Sequence, residues 1–550
     1  MIKLKTQQVS SLEKVFLHFH GGEHSERILA CGGETVSYQI AYTAEITDGY
    51  SRPNAQYCIK SPLIQYIQVY HVGNVPAELT AYPHEKDEYY ITAEPGIFPD
   101  PLYPAENENL DVVPGLWHAL WIEVNVPAGC AAGKYPVTVE ITWEDQTLTE
   151  TMQVEVLGAD LPPQKLLCTN WFYMDCIADL HNTEIFSEPH WSLIQKYMEM
   201  AAEHGMNVIL TPVLTPPLDT AVGTERPTVQ LVEITKNGSS YTFDFRRLER
   251  YVDMAQACGI KYFEINQMFT QWGAYAAPKV VASADGEKDK RIFGWNTPAG
   301  SPEYKEFLGA LLPALIHFFE ERGMQQQVIF HISDEPTTEH EESYRAAMEI
   351  VKPLVDGYPI IDALSDFGFW EKGLVEHPVV STNHIEPFLE NGCKDLWCYY
   401  CCGQGVDVAN RFFAMPSSRN RILGVQMYKY DIAGFLHWGY NFYYSALSRQ
   451  RINPFTTTDA LGAFPAGDPF VVYPWREGVI PSLRLKVFRE ALQDMRLLAL
   501  AEQYAGREAV LNMIAEAAGG PLTFREYPRE DAFIFHLRQK AFTMLSEYIH

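Results

Sequence analysis

Residues 328–336 read V-I-F-H-I-S-D-E-P, an apolar run that ends in two adjacent carboxylates, Asp334 and Glu335. A short run of β-branched and aromatic residues before Pro336 and a helical pattern predicts a buried strand that emerges at its carboxyl end. In parallel α/β folds that end carries the chemistry. Buried charges are unfavourable unless compensated, and an acid/base pair is one use for them. A second interpretation is that Asp334 or Glu335 caps the helix that begins at Thr337.

Composition sets the class of protein. The chain has 550 residues and 47% hydrophobic content, which supports two or three domains with sizeable cores. A net charge of -28 argues against nucleic acid or an anionic membrane as partner, because both would repel it. The 11 Trp and 31 Tyr suit stacking against sugar rings, although aromatic residues also fill cores. The polar amino terminus has no signal-peptide pattern and no segment could span a bilayer, so we expect a cytoplasmic protein.

Four of the cysteines form the one cluster that suggests a metal. Cys393, Cys398, Cys401 and Cys402 have a spacing that invites a zinc site. The intervening aromatic residues place them on a strand, where neighbours point to opposite faces, and no matching Cys or His pair follows. We therefore expect reduced core thiols, with no metal and no cofactor.

The first part of the chain, residues 1–160, is predicted to be an all-β sandwich. Apolar and polar residues alternate with period two and turn signals separate the segments. Residues 144–146 lie between two strands that could form a hairpin. Residues 158–164, with paired prolines, read as a short stiff connector. The predicted strands are residues 35–46, 63–72, 116–126, 135–143 and 147–156.

From residue 161 to about 505 the pattern alternates between strand and helix, which predicts a (β/α)8 TIM-like barrel. The predicted strands are residues 166–173, 207–214, 261–267, 327–333, 359–364, 378–382, 396–401 and 434–440. The predicted helices are residues 188–204, 244–258, 302–323, 338–351 and 407–424. Residues 268–299 form a long loop of the kind that builds a site or its lid. A helix over 482–505 is expected to close the barrel. Residues 506–550 are expected to form a helical appendage, which could serve in a homo-oligomer.

The carboxyl ends of these strands hold side chains that are unusual in a core. Together they predict one cup of aromatic rings and amides with carboxylates inside it, which is what a sugar requires. Each has an ordinary structural explanation when taken alone. The predicted substrate-binding residues are Asn170, Trp171, Asn266, His331, His384, Tyr399, Trp438 and Tyr440.

The adjacency of Asp334 and Glu335 limits the mechanism. Ordinary glycosidases place two carboxylates on opposite sides of the bond, about 5 to 9 Å apart. Neighbours in the sequence more naturally serve as one acid and one helper. In substrate-assisted hydrolysis the 2-acetamido oxygen of the sugar is the nucleophile, and one carboxylic acid protonates the leaving oxygen while the other carboxylate holds the amide.

Five motifs together resemble the catalytic domain of glycoside hydrolase family 123. They are N-W-F at Asn170, H-I-S-D-E-P at His331, R-F-F-A-M-P-S-S-R-N-R at Arg411, G-F-L-H-W-G-Y-N-F-Y at Gly434 and P-S-L-R-L-K-V-F-R-E-A-L-Q-D at Pro481. The resemblance covers residues 166–500 and extends to the preceding β-sandwich. It implies an exo-acting, retaining β-N-acetylgalactosaminidase with substrate-assisted catalysis. Carried over by motif, Glu335 would be the acid/base, Asp334 would orient and stabilise the acetamido group, and Trp438 would be a platform for the sugar.

Other readings of the same residues stay open. One keeps the fold and makes Glu264, on the third predicted strand of the barrel, a covalent nucleophile toward a β-galactoside-like substrate. Another keeps the enzyme class and takes a β-N-acetylglucosaminide as the substrate. A second is a glycan-binding protein or scaffold without catalysis. The least favoured is a metal hydrolase that uses His331, Asp334 and His384.

Overall fold

The computed structural model describes residues 2–46 and 54–549, so the predicted domain limits at Met1 and His550 lie outside the described residues. Its first part is built of strands, as predicted, and the five predicted strands correspond to β3, β5, β8, β9 and β10. The strands of this part are β1 (Ile2–Ser10), β2 (Arg27–Gly32), β3 (Thr35–Ile46), β4 (Asn54–Lys60), β5 (Ile67–Ala77), β6 (Gly96–Pro104), β7 (Asn109–Asp111), β8 (His118–Asn125), β9 (Gly133–Trp143) and β10 (Gln146–Asp160).

These strands form two five-stranded sheets, in the orders β1-β3-β8-β5-β6 and β2-β10-β9-β4-β7. The hairpin predicted at residues 144–146 is confirmed, because β9 and β10 pair antiparallel on either side of it. Fully buried side chains of both sheets belong to one core, among them Ile40 and Ile122 from the first sheet and Val139 and Val154 from the second. The alternation of apolar residues thus places one face of each sheet against the other.

The second part alternates strands and helices. Its strands are β11 (Leu167–Asn170), β12 (Val208–Thr211), β13 (Glu233–Asn237), β14 (Ser240–Asp244), β15 (Tyr262–Ile265), β16 (Val280–Ala284), β17 (Glu287–Phe293), β18 (Val328–Phe330), β19 (Ile361–Leu364), β20 (His377–Ser381), β21 (Trp397–Tyr399), β22 (Gly434–His437), β23 (Val472–Trp475) and β24 (Gly478–Pro481). Its helices are α1 (Met174–His181), α2 (Glu188–Glu203), α3 (Arg246–Ala257), α4 (Pro302–Glu321), α5 (Glu341–Val351), α6 (Phe367–Glu371), α7 (Glu386–Glu390), α8 (Ser417–Arg421), α9 (Leu423–Lys429), α10 (Leu483–Ala505), α11 (Arg507–Ala518) and α12 (Asp531–Ser546).

All eight strands predicted for the barrel are present, and their ladders are parallel. They lie in two sheets, β12-β15-β18 and β11-β22-β21-β20-β19. The two sheets adjoin at two seams, one between β11 and β12 and the other between β18 and β19. At the first seam Asn207 N donates to Cys168 O at 3.1 Å, and at the second Phe330 N donates to Pro359 O at 2.9 Å. The predicted mixed α/β class is therefore confirmed. A closed barrel stays a prediction, because the ladder is not continuous at the two seams.

Two predicted segments differ from the structure. The helix predicted over 407–424 begins only after Pro416, as α8, because proline has no N–H and disfavours helical backbone in the residue before it. The predicted loop at 268–299 contains the antiparallel pair β16–β17. Asp285 and Gly286, with φ of 54° and 83°, form its turn, a pairing suited to tight hairpins.

Helix α10 joins the two parts of the molecule. Ser482 caps it as predicted, its side chain accepting from Leu485 N at 3.1 Å. On the other side of the junction, Glu123 of β8 accepts from Lys486 Nζ at 2.9 Å and also binds Arg489. Helices α11 and α12 pack against α10. In residues 2–46 and 54–549, none of the helices has the length and apolar character that a bilayer crossing requires.

We expect Glu123→Gln to lower the free energy of unfolding by about 3–5 kcal/mol, because it removes the nearest counter-charge of two buried cations, Lys486 and Arg489. Burial raises the pKa of Glu123, but Arg489 and Lys486 outweigh it and lower that pKa to about 2. The stabilisation that ionised Glu123 gives the folded state is therefore complete above about pH 4.3, the ordinary pKa of glutamate. It is lost as the pH falls toward 2.

Denaturant unfolding across this pH range measures the effect. Glu140→Gln is the matched control, because Glu140 pairs with Lys60 at 2.7 Å on the surface and its loss should change little. Equal destabilisation by the two substitutions would contradict the prediction.

Candidate active site

Asp334 and Glu335 lie in a turn that follows β18, and both side chains are half-buried. Glu335 has a φ of 42°, in the left-handed region, which costs a non-glycine residue about 1–2 kcal/mol. Backbone strain of this kind persists only where surrounding contacts fix it, and it concentrates at functional sites. The turn is therefore a candidate site on its backbone geometry as well as its charges.

The loop after β15 fixes this turn. Trp272 N donates to Asp334 O at 3.0 Å, and Ser333 Oγ donates to Thr270 O at 2.9 Å. The loop predicted at 268–299 therefore packs along the turn that carries the acidic pair.

The carboxylate of Glu335 is held by a chain of hydroxyl groups. Tyr399 Oη donates to Glu335 Oε1 at 2.6 Å and lies 3.3 Å from Ser365 Oγ. Ser365 Oγ is 2.7 Å from Ser381 Oγ, which is 3.0 Å from His384 Nδ1. Tyr399 is therefore brought directly to the acidic pair, whereas His384, which is exposed, is connected to it only through this chain.

His331 lies fully buried between two carboxylates. Its Nε2 is 2.6 Å from Glu264 Oε1 and its Nδ1 is 3.1 Å from Asp362 Oδ1. Burial acts to lower the pKa of His331, but the hydrogen bonds to Asp362 and Glu264 outweigh it and raise the pKa to about 10. The ring is consequently an imidazolium at neutral pH, and both of its N–H groups donate.

Glu264 is occupied by three donors. Besides His331, Trp171 Nε1 donates to its Oε1 at 2.7 Å and Thr169 Oγ1 to its Oε2 at 2.7 Å. The side chain of Glu264 is completely buried and that of Trp171 is nearly so. Trp171 and His331 are therefore brought together behind the acidic pair, where they bind protein groups.

Asp362 clamps the backbone that leads to Asp334. Its Oδ1 accepts from Ile332 N at 3.1 Å, and its Oδ2 accepts from Tyr344 Oη at 2.6 Å. Together with His331, these donors fix the start of the turn from the side of β19. Neither Asp362 nor Tyr344 was predicted from the sequence. A charged residue inside the apolar strand P-I-I-D-A-L was the signal that could have found Asp362.

Asp334 has an unusual electrostatic environment. Burial raises its pKa well above the ordinary range, and the charge of Glu335 raises it further, whereas His331 acts in the opposite direction. Asp362 and then Asp219 add two further carboxyls that also raise the pKa of Asp334. Burial raises the pKa of Asp219 itself to about 6, although its Oδ2 accepts from Leu447 N at 2.8 Å. Asp334 therefore retains its proton to higher pH than an isolated carboxyl would.

A second network, around Arg411, positions Asn170 and Trp438. Arg411 Nη1 donates to Asn170 Oδ1 at 2.9 Å, and Nη2 donates to His437 Nδ1 at 2.7 Å. Trp438 is half-buried, and its Nε1 donates to Asp468 Oδ2 at 2.9 Å. Burial raises the pKa of Asp468 to about 7, with Arg411 acting against that shift. Asn170 and Trp438 are linked to one another through these groups.

The structure does not bring Asn266 and Tyr440 to this site. Both side chains are completely buried. Asn266 accepts from Leu214 N at 3.1 Å and donates to Gln267 O at 3.0 Å, whereas Tyr440 Oη donates to Tyr197 O at 2.9 Å. Their hydrogen bonds stabilise the fold around the strands.

The cysteine cluster gives no sign of a metal site in the described part of the chain. No group of three His, Cys, Asp or Glu side chains in residues 2–46 and 54–549 is arranged to hold a metal ion. Cys398 is buried, and the thiols of Cys393, Cys401 and Cys402 are half-buried and free.

We expect His331→Gln to lower the free energy of unfolding at pH 7 by about 3–5 kcal/mol, because Glu264 and Asp362 lose the cation between them. The folded-state pKa of His331, about 10, lies above the ordinary value of about 6.5. Its contribution is therefore complete below about pH 6.5 and is lost as the pH rises toward 10, so the gap between wild type and variant should narrow over that range.

Chemical unfolding at pH 7 and pH 10 measures the difference in unfolding free energy between wild type and His331→Gln at each pH. His190→Gln is the control, because burial lowers the pKa of His190, which is neutral throughout this range. A gap for His331→Gln that stayed constant with pH would mean that the buried ring is not an imidazolium.

Comparison with known proteins identifies the family. No curated protein sequence matches the chain. A family 123 glycoside hydrolase from Clostridium perfringens has a similar fold, with a TM-score of 0.74 at 15% identity over 99% of this chain and 98% of that one. An endo-β-1,4-mannanase from Thermotoga petrophila is much less similar, with a TM-score of 0.34 at 16% identity over 60% of this chain and 77% of that one. The family profile described as "Glycoside hydrolase 123, catalytic domain" matches residues 171–501. The chain therefore belongs to glycoside hydrolase family 123 and is a glycoside hydrolase.

Proposed function

We propose that the protein is an exo-acting, retaining β-N-acetylgalactosaminidase in which the 2-acetamido group of the substrate is the nucleophile. The observation that carries this proposal is the adjacency of Asp334 and Glu335 in a strained turn, next to a Glu264 whose oxygens are already bound. The family 123 relative from Clostridium perfringens was analysed for hydrolysis of glycolipid glycans, which supports a glycan substrate here.

The proposal includes a closed (β/α)8 barrel as the scaffold. The eight parallel strands follow one another in chain order, and backbone hydrogen bonds cross both seams, with a parallel bridge between Phe330 and Ile360 at one of them. In such a barrel the carboxyl ends of the strands face one cup. That arrangement supports a common site for the turn after β18, Tyr399 of β21 and Trp438 beyond β22.

In this mechanism Glu335 is the general acid and then the general base. It protonates the glycosidic oxygen as the acetamido oxygen attacks the anomeric carbon, which breaks the glycosidic bond and forms an oxazolinium ion. Tyr399 Oη, 2.6 Å from Glu335 Oε1, orients the carboxyl. Glu335 then takes a proton from water as the water opens the ring. Two inversions at the anomeric carbon retain its configuration.

Asp334 holds the acetamido group. Its carboxylate accepts the amide N–H and stabilises the positive charge that develops on the oxazolinium ring. His331 supports this role, because its positive charge acts to keep Asp334 ionised, against the effects of burial and of Glu335. Trp438, half-buried and fixed by Asp468, offers an apolar face to the sugar.

The alternative with Glu264 as a covalent nucleophile is disfavoured by its contacts. Donors from His331, Trp171 and Thr169 occupy both of its oxygens, and the carboxylate is completely buried. A nucleophilic carboxylate needs an oxygen that can reach the anomeric carbon.

We expect Glu335→Gln to reduce the hydrolysis of nitrophenyl β-N-acetylgalactosaminide by about 100-fold or more, because the amide cannot donate a proton to the leaving oxygen. Asp334→Asn should also reduce turnover strongly, and a thiazoline mimic of the intermediate should inhibit the wild type. Glu339→Gln, an exposed carboxyl just beyond the same turn, is the matched control.

Rates on a panel of nitrophenyl β-glycosides, with and without the 2-acetamido group and in galacto and gluco forms, complete this test. Equal activity on β-galactosides and on their acetamido analogues would rule out substrate assistance. A rate for Glu335→Gln within about tenfold of wild type would rule out the acid assignment.

The pH profile should reflect the raised pKa of Asp334. Because the mechanism uses Asp334 as a carboxylate and its pKa is raised well above its ordinary range, kcat/KM should rise with pH until Asp334 ionises. Asp219→Asn removes a negative charge that raises the pKa of Asp334, so the acid limb of that variant's profile should move to lower pH.

Asp289→Asn, which changes an exposed carboxyl in β17, is the control for the pH profile and should leave that limb in place. An acid limb that Asp219→Asn left unmoved, or moved to higher pH, would contradict the electrostatic assignment.

A further inference from the structure

We propose that a cavity where the β-sandwich meets α8, α10 and α12 is a second binding site, and that it takes an organic ammonium ion with an apolar body. The cavity has a volume of about 930 Å³. Small-molecule sites typically enclose about 300–1,000 Å³. We call it the junction cavity, which is lined at its mouth by Tyr89, Ile91 and Phe535 and inside by Glu13, Ser37 and Asp531.

The junction cavity is separate from the candidate active site. The described residues that line it belong to the sandwich, to α8, α10 and α12 and to the segments beside them, and the acidic pair is not among them. Binding there is a property beyond the proposed function and does not depend on it.

The cations that line the junction cavity are already bound to other groups. Arg421 Nη1 donates to Glu490 Oε2 at 2.6 Å, and its Nε donates to Asp494 Oδ2 at 2.7 Å. Arg529 lies over the ring of Tyr527, 3.9 Å from its centroid. Three further arginines form ion pairs: Arg538 with Glu34 at 2.7 Å, Arg419 with Asp87 at 2.9 Å and Arg27 with Glu155 at 2.7 Å. An anionic ligand would therefore have to displace one of these partners.

Three carboxyls of the same cavity have no such partner. In the described part of the chain, none of the Lys, Arg or His side chains forms an ion pair with Glu13, Glu23 or Asp531. Burial raises the pKa of Glu13, and the charges of Asp531 and Glu23 act in the same direction. Burial also raises the pKa of Asp531, although Ser418 and Arg421 oppose the shift. A positive charge placed among these carboxyls would relieve their repulsion.

The mouth of the junction cavity exposes three large apolar side chains. Tyr89 is 38% exposed, Ile91 is 45% exposed and Phe535 is 40% exposed. Apolar surface that is gathered at one place is unfavourable in water and commonly marks a binding site. A small inorganic cation would leave this surface uncovered, whereas the hydrocarbon part of an organic ammonium ion would cover it.

A buried hydroxyl group also faces the junction cavity. Ser37 is only 5% exposed, and its Oγ has no hydrogen-bond partner among residues 2–46 and 54–549. Most buried polar groups have a partner, so this hydroxyl indicates a position that a polar group of a ligand would fill. It is independent of the three carboxyls, because it lies on β3 of the sandwich.

The first test measures the contribution of charge. Calorimetric titration of the wild type with hexylammonium chloride at pH 7 should show saturable binding to one site. Asp531→Asn and Glu13→Gln should each weaken that binding by about tenfold or more, because each removes a counter-charge. Glu508→Gln is the matched control, because Glu508 is an exposed carboxyl in the first turn of α11, as Asp531 is in the first turn of α12.

The second test measures the contribution of the apolar body. Hexylammonium should bind about tenfold or more tightly than methylammonium, because its longer chain buries more apolar surface. Phe535→Ala should reduce this preference. Tyr504→Ala, which removes a 44% exposed ring on α10, is the control and should leave the preference unchanged. Thermal unfolding reports whether each variant is folded, and hexylammonium should raise the midpoint of the wild type.

Four results would overturn the proposal. They are the absence of saturable hexylammonium binding to the wild type, equal or tighter binding of hexanol or hexanoate, tighter binding of calcium, and full affinity for hexylammonium in folded Asp531→Asn and Glu13→Gln proteins. Hydrolysis of the nitrophenyl β-glycosides is measured separately. Loss of the proposed function would therefore leave the binding result standing, and a failure of hexylammonium to bind would leave the proposed function standing.

Discussion

The site depends on one buried cation, the imidazolium of His331 between Glu264 and Asp362. Without the imidazolium, burying these two carboxylates would cost considerable free energy. With it, each carboxylate is stable in the interior and can hold other groups in place. Glu264 fixes Trp171, and Asp362 fixes the backbone at Ile332. The turn that carries the acidic pair begins two residues beyond that backbone contact. The position of the pair therefore follows from the charge behind it.

This rigid support explains how the turn tolerates strain. Glu335 and Trp272 both have a left-handed backbone conformation. A non-glycine residue keeps this conformation only where surrounding contacts hold it there. The contacts come from two directions, the clamp at Asp362 and the hydrogen bond from Trp272 to Asp334. Farther away, α10 is tied to the sandwich by the buried pairs at Glu123, so the scaffold behind the strands is itself fixed. In the proposed mechanism such rigidity is an advantage, because a small displacement of the acid from the leaving oxygen slows the reaction.

Patterns of apolar residues predicted the eight strands and most helices, because burial imposes a period on the sequence. The hairpin β16–β17 was missed although Asp285-Gly286 is a strong turn signal, since its strands lie in a segment read as one loop. The ends of the predicted strands supplied His331, which binds Glu264, and Tyr399, which binds Glu335. They also supplied Asn266 and Tyr440, whose side chains are completely buried. A strand end fixes where a residue lies along the chain, whereas the face it occupies depends on neighbouring strands. Asp362 and Tyr344 act through His331 and the backbone, so only their contacts reveal them.

Adjacency also bears on the division of work proposed for the pair. The charge of Glu335 beside it adds to burial in raising the pKa of Asp334. In the proposed mechanism Asp334 accepts an amide N–H, which requires its carboxyl to be without a proton. An arriving amide N–H favours the charged form of Asp334, as His331 does. A substrate that carries an acetamido group would thus bring Asp334 to the charged state that the proposed reaction uses, whereas a sugar without that group would not.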